Sequence, residues 1–446
     1  MKAIFRLAGM AVVAVLLLAS CSKNNSNLLT TIPADCPFVA KVTLNKTNIK
    51  ELPERFFGDL AEDEGLKEVV DLDNVVVTMD DKKNVAIQIV EVKDESKLTK
   101  LLESKGLKSV ANAEVKDSKT WEGEGLNVVL KDGIARFSFA KTADINKFIL
   151  AGESAKQTIA DCSGVADALC SDHMINLSLS TKKAAAKDGE NKQIYTVYGM
   201  DIADKLTGTF KSMYADGSSA EVIKTQPIDA AVIDYVPGNA MAVYALGING
   251  KELTDDMLKV VLNQVPLSYA STVSMAWEYL KRLSGTTMIA VTCNKPNVSA
   301  DDIVNNPFDT LGLTVMAQME KDDLESTLNQ VKGLMAMAGL PFTDDGNGLY
   351  ACTFGPMSVY FGIVDGYLTL STSKPEKQSG HRFSKPGKVD AWLWMDLKDL
   401  TLPDGQKLGL QADCNLTDDK GTFDASFPGS GVPFMESLKK LGFSLD

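Results

Sequence analysis

The chain has 446 residues, 45% of them hydrophobic, and a formal net charge of −13. Such a length suits two or three domains, each with a sizeable core. Because the charge is strongly acidic, we expect neither nucleic acid nor anionic lipid as the main partner.

The N-terminus has the features of a bacterial export signal in their usual order. Lys2 and Arg6 supply positive charge, and the nine apolar residues 10–18 (MAVVAVLLL) follow. This run is too short to span a bilayer as a permanent helix. It ends in Leu-Ala-Ser before Cys21, a pattern that resembles the lipobox of bacterial lipoproteins. We therefore predict a signal peptide over residues 1–20 and lipidation of Cys21 at the mature N-terminus.

A lipidated polar tether is predicted over residues 21–30, because the sequence SKNNSN after the cysteine has no apolar anchor. Cleavage removes Lys2 and Arg6, which takes the net charge from −13 to −15. Ser22 in the second mature position favours the outer membrane by the sorting rule known for enterobacterial lipoproteins. No acidic cluster follows the cysteine to indicate surface display. We expect an outer-membrane lipoprotein on the periplasmic face, with no other segment that crosses the membrane.

A strand preceded by an apolar residue and a proline occurs once in each half of the chain. The first copy is IPADCPFVAKVTL at residues 32–44, and the second is VPGNAMAVYALGI at residues 236–248. A Lys-Glu-Leu sequence follows each copy. Proline suits the entrance of a strand because it has no N–H to donate within a sheet.

A strand followed by an amphipathic helix also occurs in both halves. Residues 85–92 alternate as in a strand, and residues 94–104 place three leucines on one helical face. Residues 313–319 and a helix predicted after Asp322 repeat this order.

Each half then has a meander of short strands with tight turns. Asp132-Gly133 lies between predicted strands at 126–130 and 134–139, and Asp365-Gly366 lies in the corresponding place later. Asp-Gly is a strong hairpin signal because glycine adopts a positive φ without steric cost. The second meander is predicted at residues 349–354, 357–364 and 367–371.

The two halves also end alike. Residues 173–180 match residues 390–397, and each strand is followed by a strand pair. The first pair is predicted to turn at Asp216-Gly217 and the second at residues 418–421. A final helix is predicted after Pro433.

These patterns predict an α+β fold of two tandem repeat units, over residues 31–232 and 233–446. Largely antiparallel sheets with helices packed on one face are the expected architecture. Residues 255–283 fit either one long helix or two helices broken at Pro266.

Two sequence patterns follow the lipobox and the polar tether: an IPxDxxFVAxVxL-like opening and a YVPxxAxAVYALGINGKEL-like pattern at the start of the second half. Together they resemble a known family. The chain resembles the large envelope lipoproteins of Bacteroidetes that are catalogued as a domain of unknown function. The likeness covers most of the mature chain, and its motifs are strand and turn patterns. It implies lipidation, an envelope location and the repeat, and it implies no activity.

No catalytic constellation is recognisable, so we do not expect an enzyme, a cofactor or a metal. His173 and His381 are the two histidines of the chain, and both are expected in surface or loop positions. HExxH, Walker and GxSxG motifs do not occur. Six cysteines follow Cys21, and we expect mostly buried small hydrophobic side chains rather than disulfide bridges.

Trp392, Trp394 and Asp396 alternate along one predicted strand and therefore share a face. Two aromatic rings beside a carboxylate are typical of a sugar platform. The intervening residues are apolar as well, which favours a strand buried on both faces.

The leading hypothesis for function is a non-catalytic envelope module that binds a ligand or has a structural role. The first alternative is a glycan-binding accessory lipoprotein that uses the tryptophan pair. The second is an unrecognised hydrolase that works with carboxylates alone. The lipid anchor makes the membrane a partner in each case, and the protein or glycan partner is left open.

Overall fold

A computed structural model provides the structure and describes most of the chain. The described residues are 27–42, 64–72, 74–80, 85–123, 125–185, 191–220, 225–262, 269–295, 298–354, 357–402, 405–417 and 420–441. The predicted signal peptide and Cys21 lie outside these ranges. Among the described residues, no helix has the length and apolarity needed to cross a membrane.

The chain divides into two compact units, Met1–Ala220 with Pro433–Asp446, and Glu221–Val432. The second unit therefore begins before the predicted residue 233. Residues that precede the first strand of this unit form hydrogen bonds with other residues of the same unit. The Ile228 amide, for example, donates to the Val389 carbonyl at 2.8 Å.

The predicted tether is shorter than residues 21–30. A 3₁₀ helix occupies Asn27–Thr31, and its Leu28 and Leu29 side chains are buried in the first unit. These two leucines interrupt the polar run, and their burial ends the tether at or before Asn27.

In the described part of the chain, the first unit contains ten strands and four helices before its C-terminal segment. The strands are β1 (Phe38–Val42), β2 (Val75–Asp80), β3 (Val85–Glu91), β4 (Lys108–Val110), β5 (Lys119–Glu122), β6 (Asn127–Lys131), β7 (Ile134–Ser138), β8 (Ile175–Ala185), β9 (Asn191–Ile202) and β10 (Lys205–Met213). The helices are α1 (Glu64–Val69), α2 (Glu95–Ser104), α3 (Thr142–Ser154) and α4 (Ser163–Leu169).

The strands of the first unit pair antiparallel in the order β4-β5-β6-β7-β3-β2-β1-β8-β9-β10. The core on one face packs β1, β2 and β3 against the N-terminal 3₁₀ helix and α4. Val39 and Ile89 of the sheet meet Val165 and Leu169 of α4 there.

The second unit also has ten strands among its described residues. They are β11 (Ala240–Gly247), β12 (Leu283–Cys293), β13 (Leu311–Met319), β14 (Phe342–Gly346), β15 (Leu349–Phe354), β16 (Met357–Val364), β17 (Tyr367–Ser371), β18 (Ala391–Leu397), β19 (Leu410–Thr417) and β20 (Lys420–Ser426). The helices are α5 (Asp255–Leu262), α6 (Ala270–Leu280), α7 (Ala300–Asn305), α8 (Pro307–Thr310) and α9 (Lys321–Met337). The region predicted as one or two helices is therefore two, α5 and α6.

The strands of the second unit pair antiparallel in the order β14-β15-β16-β17-β13-β12-β11-β18-β19-β20. Adding ten to each strand label of the first unit gives this order. Mixed α and β content with largely antiparallel pairing, as predicted, is therefore confirmed.

The C-terminal helix α10 (Phe434–Lys440) belongs to the first unit, not to the second as predicted. The Phe434 amide donates to the Ala203 carbonyl at 3.1 Å, in the turn between β9 and β10. Phe434 and Leu438 are buried.

Both predicted Asp-Gly hairpins within the meanders are confirmed. Asp132 and Gly133 have φ of 53° and 74°, and Asp365 and Gly366 have φ of 48° and 84°. Positive φ at both central residues is the geometry of a tight two-residue hairpin.

The turn predicted at Asp216-Gly217 does not join a strand pair. The pair is β9 and β10, and the chain turns between Ile202 and Lys205. Asp216-Gly217 does turn tightly, with the Tyr214 amide donating to Ser218, but the returning chain makes one bridge to β10 at Met213. The prediction of a tight turn at Asp216-Gly217 is therefore correct, and the prediction that this turn joins the strand pair is wrong.

Different elements cover the two faces of the sheet in the second unit. Leu246 and Ala317 pack with Trp277 of α6 and Leu324 of α9. The opposite face, which carries Val243, is covered by the 3₁₀ helix Ala230–Tyr235 and by an irregular segment, residues 373–390.

Candidate functional site

A cavity of about 500 Å³ lies in the second unit, where the start of β11 meets the ends of β12 and β18. Antiparallel pairing brings these three strand ends together, so residues far apart in sequence share one lining. The lining residues are Asn239, Met241, Cys293, Asn294, Lys295, Val298, Arg382, Asp396, Leu397, Asp399 and Leu400.

A buried ion pair lies in the lining of this cavity. The Arg382 Nη2 donates to Asp396 Oδ2 at 2.6 Å, and the Asp396 side chain is 1% exposed. Asp396 is the last residue of β18 whose side chain lies on the same face as the tryptophans, and Arg382 belongs to the irregular 373–390 segment. A buried carboxylate is costly unless it is paired, so this contact holds the segment against the strand.

Further charges surround the pair. Lys398 Nζ is 3.5 Å from the same oxygen of Asp396, and its backbone amide donates to the other oxygen at 3.3 Å. Arg382 also lies 3.8 Å from Asp399, whose second oxygen is 3.5 Å from Lys407 Nζ. Each carboxylate of this group therefore faces two cations.

Two cations of the lining, Lys295 and Arg382, are accessible from the cavity, together with one carboxylate, Asp399, whose side chain is 59% exposed. Asp396 is shielded from solvent, whereas the Arg382 side chain is 35% exposed. Lys295 is exposed, and its charge contributes to the lowered pKa of Asp302, although in the described part of the chain no carboxylate lies within ion-pair distance of its ammonium group. Its amine and the remaining donors of the guanidinium can therefore receive an anion.

Apolar side chains complete the lining and limit the type of ligand. Met241, Val298, Leu397 and Leu400 face a space large enough for a small organic molecule. Cys293 donates through its thiol to the Lys295 carbonyl at 3.0 Å, which fixes the turn that carries the lysine.

Trp392 and Trp394 are buried and do not form an open binding surface. They are 1% and 8% exposed, and the Phe383 ring packs on them with centroid distances of 5.0 and 4.9 Å. The Trp392 Nε1 donates to Asp413 at 3.0 Å. The face that carries the tryptophans is therefore buried, as the core interpretation predicted, while Leu393 and Met395 on the other face are half-buried. Neither indole is open to a sugar. Asp396 does lie on the same face, but it lines the neighbouring cavity.

His381 is more enclosed than a surface loop position would be. Both ring nitrogens are shielded from solvent without a hydrogen-bond partner in the described part of the chain. The ring stacks on Phe383 at 4.8 Å. Burial lowers the pKa of the imidazole, with Lys385 acting in the same direction and Asp234 against it. The ring is therefore neutral at pH 7 and belongs to the cover over the tryptophans.

His173 lies at the entrance of β8, half-exposed as predicted. Its Nδ1 is 2.9 Å from Asp201 Oδ2, and the other oxygen of Asp201 accepts the Met174 amide at 2.8 Å. A Cβ on Gly199 would come within 2.2 Å of the imidazole, so the ring lies flat on the β9 backbone. This pair fastens β8 to β9.

The cysteines at described positions form no disulfide. Cys36, Cys162 and Cys352 are buried, and Cys170, Cys293 and Cys414 are half-buried. The prediction of mostly buried small side chains is thus correct for three of the six.

A larger cavity of about 700 Å³ lies in the first unit, above Tyr195. The Tyr195 hydroxyl donates a hydrogen bond to the Ala34 carbonyl at 2.9 Å, so this buried group has a partner within the protein. The cavity of the second unit is the stronger candidate because a buried charge lies in its lining.

Sequence reasoning identified Asp396 and missed Arg382, Lys295 and Cys293. The missed residues lie in irregular or strand-end positions that have no local motif. Comparison with protein-family models, curated proteins and solved structures finds no match for this chain.

Proposed function

We propose that this chain is a lipid-anchored, non-catalytic binding protein of the bacterial cell envelope, tethered through Cys21 to the periplasmic face of the outer membrane. Its ligand site is the cavity of the second unit. The ligand class is a small amphipathic carboxylate. The observation that carries this assignment is the pair of accessible cations, Lys295 and Arg382, beside the apolar side chains of this cavity.

The body of the protein is a tandem duplication of one α+β unit. The identical strand order of the two units supports this, as do the matched Pro-strand openings. The resemblance to the Bacteroidetes envelope lipoproteins is consistent with the same arrangement. Duplicated units commonly diverge, and here the second unit has an irregular segment where the first has α3 and α4.

The carboxylate of the ligand lies between Lys295 and the exposed edge of Arg382. Its carbon chain lies against Met241, Val298 and Leu400. Charge-assisted hydrogen bonds supply orientation, and burial of the chain supplies most of the free energy.

Neither alternative function is part of this proposal. Glycan binding relied on the tryptophan pair, which is covered by Phe383. Hydrolysis would need an available carboxylate, and both carboxylates of the lining are paired with cations, Asp396 with Arg382 and Asp399 with Arg382 and Lys407.

Isothermal titration calorimetry with octanoate tests the ligand class. The complete mature chain with Cys21→Ser is used, so that no detergent is needed. We expect one site with a Kd on the order of 10 µM for octanoate and no measurable binding of octylamine, which has the same chain and the opposite charge. Equal binding of the two compounds, or binding of neither, would contradict the proposal.

The anchor has its own test in living cells. The Cys21→Ser variant is expected to move from the membrane fraction to the soluble periplasmic fraction, because no acyl chain can be attached to serine by a thioether. Ser22→Ala is the matched control and should remain in the membrane fraction. Retention of the Cys21→Ser variant in that fraction would show that another contact holds the protein.

A further inference from the structure

A fully buried lysine lies in the centre of the sheet of the first unit. Lys41 on β1 is 0% exposed, and its register partners are Val76 on β2 and Asn176 on β8. A lysine is rarely buried to this extent, because its ammonium group loses its hydration. An apolar residue would fill the position at lower cost, so the amine requires an explanation.

The amine of Lys41 contacts a thiol. Its Nζ lies 3.3 Å from the Sγ of Cys170, the residue that follows the last turn of α4. Cys170 is half-buried, so the residue is partly open to solvent. Cys162, at the other end of α4, faces the Tyr195 hydroxyl at 3.5 Å instead, and the structure shows no amine of the described residues against it.

We propose that Lys41 and Cys170 form a reversible oxidative cross-link, a sulfenamide between the lysine nitrogen and the cysteine sulfur. Hydrogen peroxide is the oxidant. The Cys170 thiol takes one oxygen from peroxide to give a sulfenic acid and one water. The Lys41 nitrogen then attacks the sulfur with its lone pair, the S–O bond breaks, and the departing hydroxide leaves as water with a proton from the nitrogen.

The geometry favours this second step over hydrolysis or further oxidation. A nucleophile held about 3–3.5 Å from its target reacts at a high effective concentration. Sulfenic acids are known to condense with nearby nitrogen as well as with thiols. An exported protein meets an oxidising compartment, in which the first step is accessible. The cross-link joins β1 to α4, and a thiol reductant reverses it.

Mass spectrometry of the peroxide-treated mature chain tests the proposal. We expect the peptides of Lys41 and Cys170 to appear as one species, lighter by two hydrogen atoms than the sum of the separate peptides. Trypsin should no longer cleave after Lys41, and dithiothreitol should restore both peptides. Cys162 lies on the same helix and should remain a thiol or an ordinary oxidation product.

Two variants separate the cross-link from simple cysteine oxidation. Lys41→Met keeps an unbranched apolar side chain and removes the amine, so the sulfenic acid should persist. Trapping by dimedone at Cys170 should then rise at least about fivefold over wild type. Cys170→Ser should abolish the cross-link with Lys41 intact.

The wild-type digest decides the question even if Lys41→Met fails to fold. Cleavage after Lys41 together with sulfinic acid at Cys170 would overturn the proposal. Equal dimedone trapping in wild type and a folded Lys41→Met variant would do so as well.

Discussion

Replacing Trp392 with alanine is expected to lower the free energy of unfolding of the second unit by about 4 kcal/mol. The indole is 1% exposed, packs against Phe383 and donates to Asp413. Truncation leaves a cavity between β18 and the 373–390 segment and removes the hydrogen bond to one oxygen of Asp413, whose other oxygen still accepts from Asn415. Both losses act in the same unit.

Urea unfolding followed by hydrogen exchange measures this effect, because exchange reports the opening of individual strands. The peptides that contain β11 and β18 are the ones to follow. Tyr244→Ala is the matched control, since Tyr244 lies on β11 with its side chain 40% exposed. It should cost less than about 1 kcal/mol. If both variants lose the same stability, the indole is not a core residue.

Replacing Arg382 with methionine is expected to cost about 3 kcal/mol in the second unit. The change removes the shortest contact of a carboxylate that is 1% exposed and leaves Lys398, 3.5 Å away, as its nearest cation. A buried charge without adequate compensation is the main source of the loss. The 373–390 segment should exchange amide hydrogen faster than in wild type.

The double variant Arg382→Met with Asp396→Leu is the control for this prediction. It removes both charges, so it should recover more than half of the stability lost in the single variant. A single variant within about 0.5 kcal/mol of wild type would show that the pair does not hold the segment.

The local elements of this fold could be predicted because their signals are local. The three strands β15, β16 and β17 have the predicted bounds, since alternating apolar residues and an Asp-Gly turn define them. Helix α2 begins where Asp94 accepts the Lys97 amide at 3.0 Å, a cap that the sequence shows directly.

The strand order could not be predicted in the same way. The pairings of β3 with β7 and of β1 with β8 join segments separated by long intervals. The misassigned turn at Asp216-Gly217 has the same cause, because its residue chemistry says how the chain bends and not which strand it returns to.

For the candidate site as well, local sequence patterns predict which residues share a strand face, but not which distant residues pack against that face. Alternation placed Trp392, Trp394 and Asp396 on one face, and this is correct. Whether that face was open depended on Phe383 and Arg382, which belong to a segment without any regular periodicity. Lys41 shows the converse, because alternation alone gives no reason for a lysine to be fully buried.

The affinity of octanoate for a matched pair of lysine variants tests the central claim most directly. Lys295 borders the cavity, and Lys321 at the start of α9 is an exposed lysine of the same unit that does not line it. Neither substitution removes a buried contact, so both variants should fold. Lys295→Gln should weaken octanoate binding about tenfold, which corresponds to about 1.4 kcal/mol, and Lys321→Gln should leave it unchanged. Equal affinities of the two variants would contradict the assignment of this cavity as the ligand site.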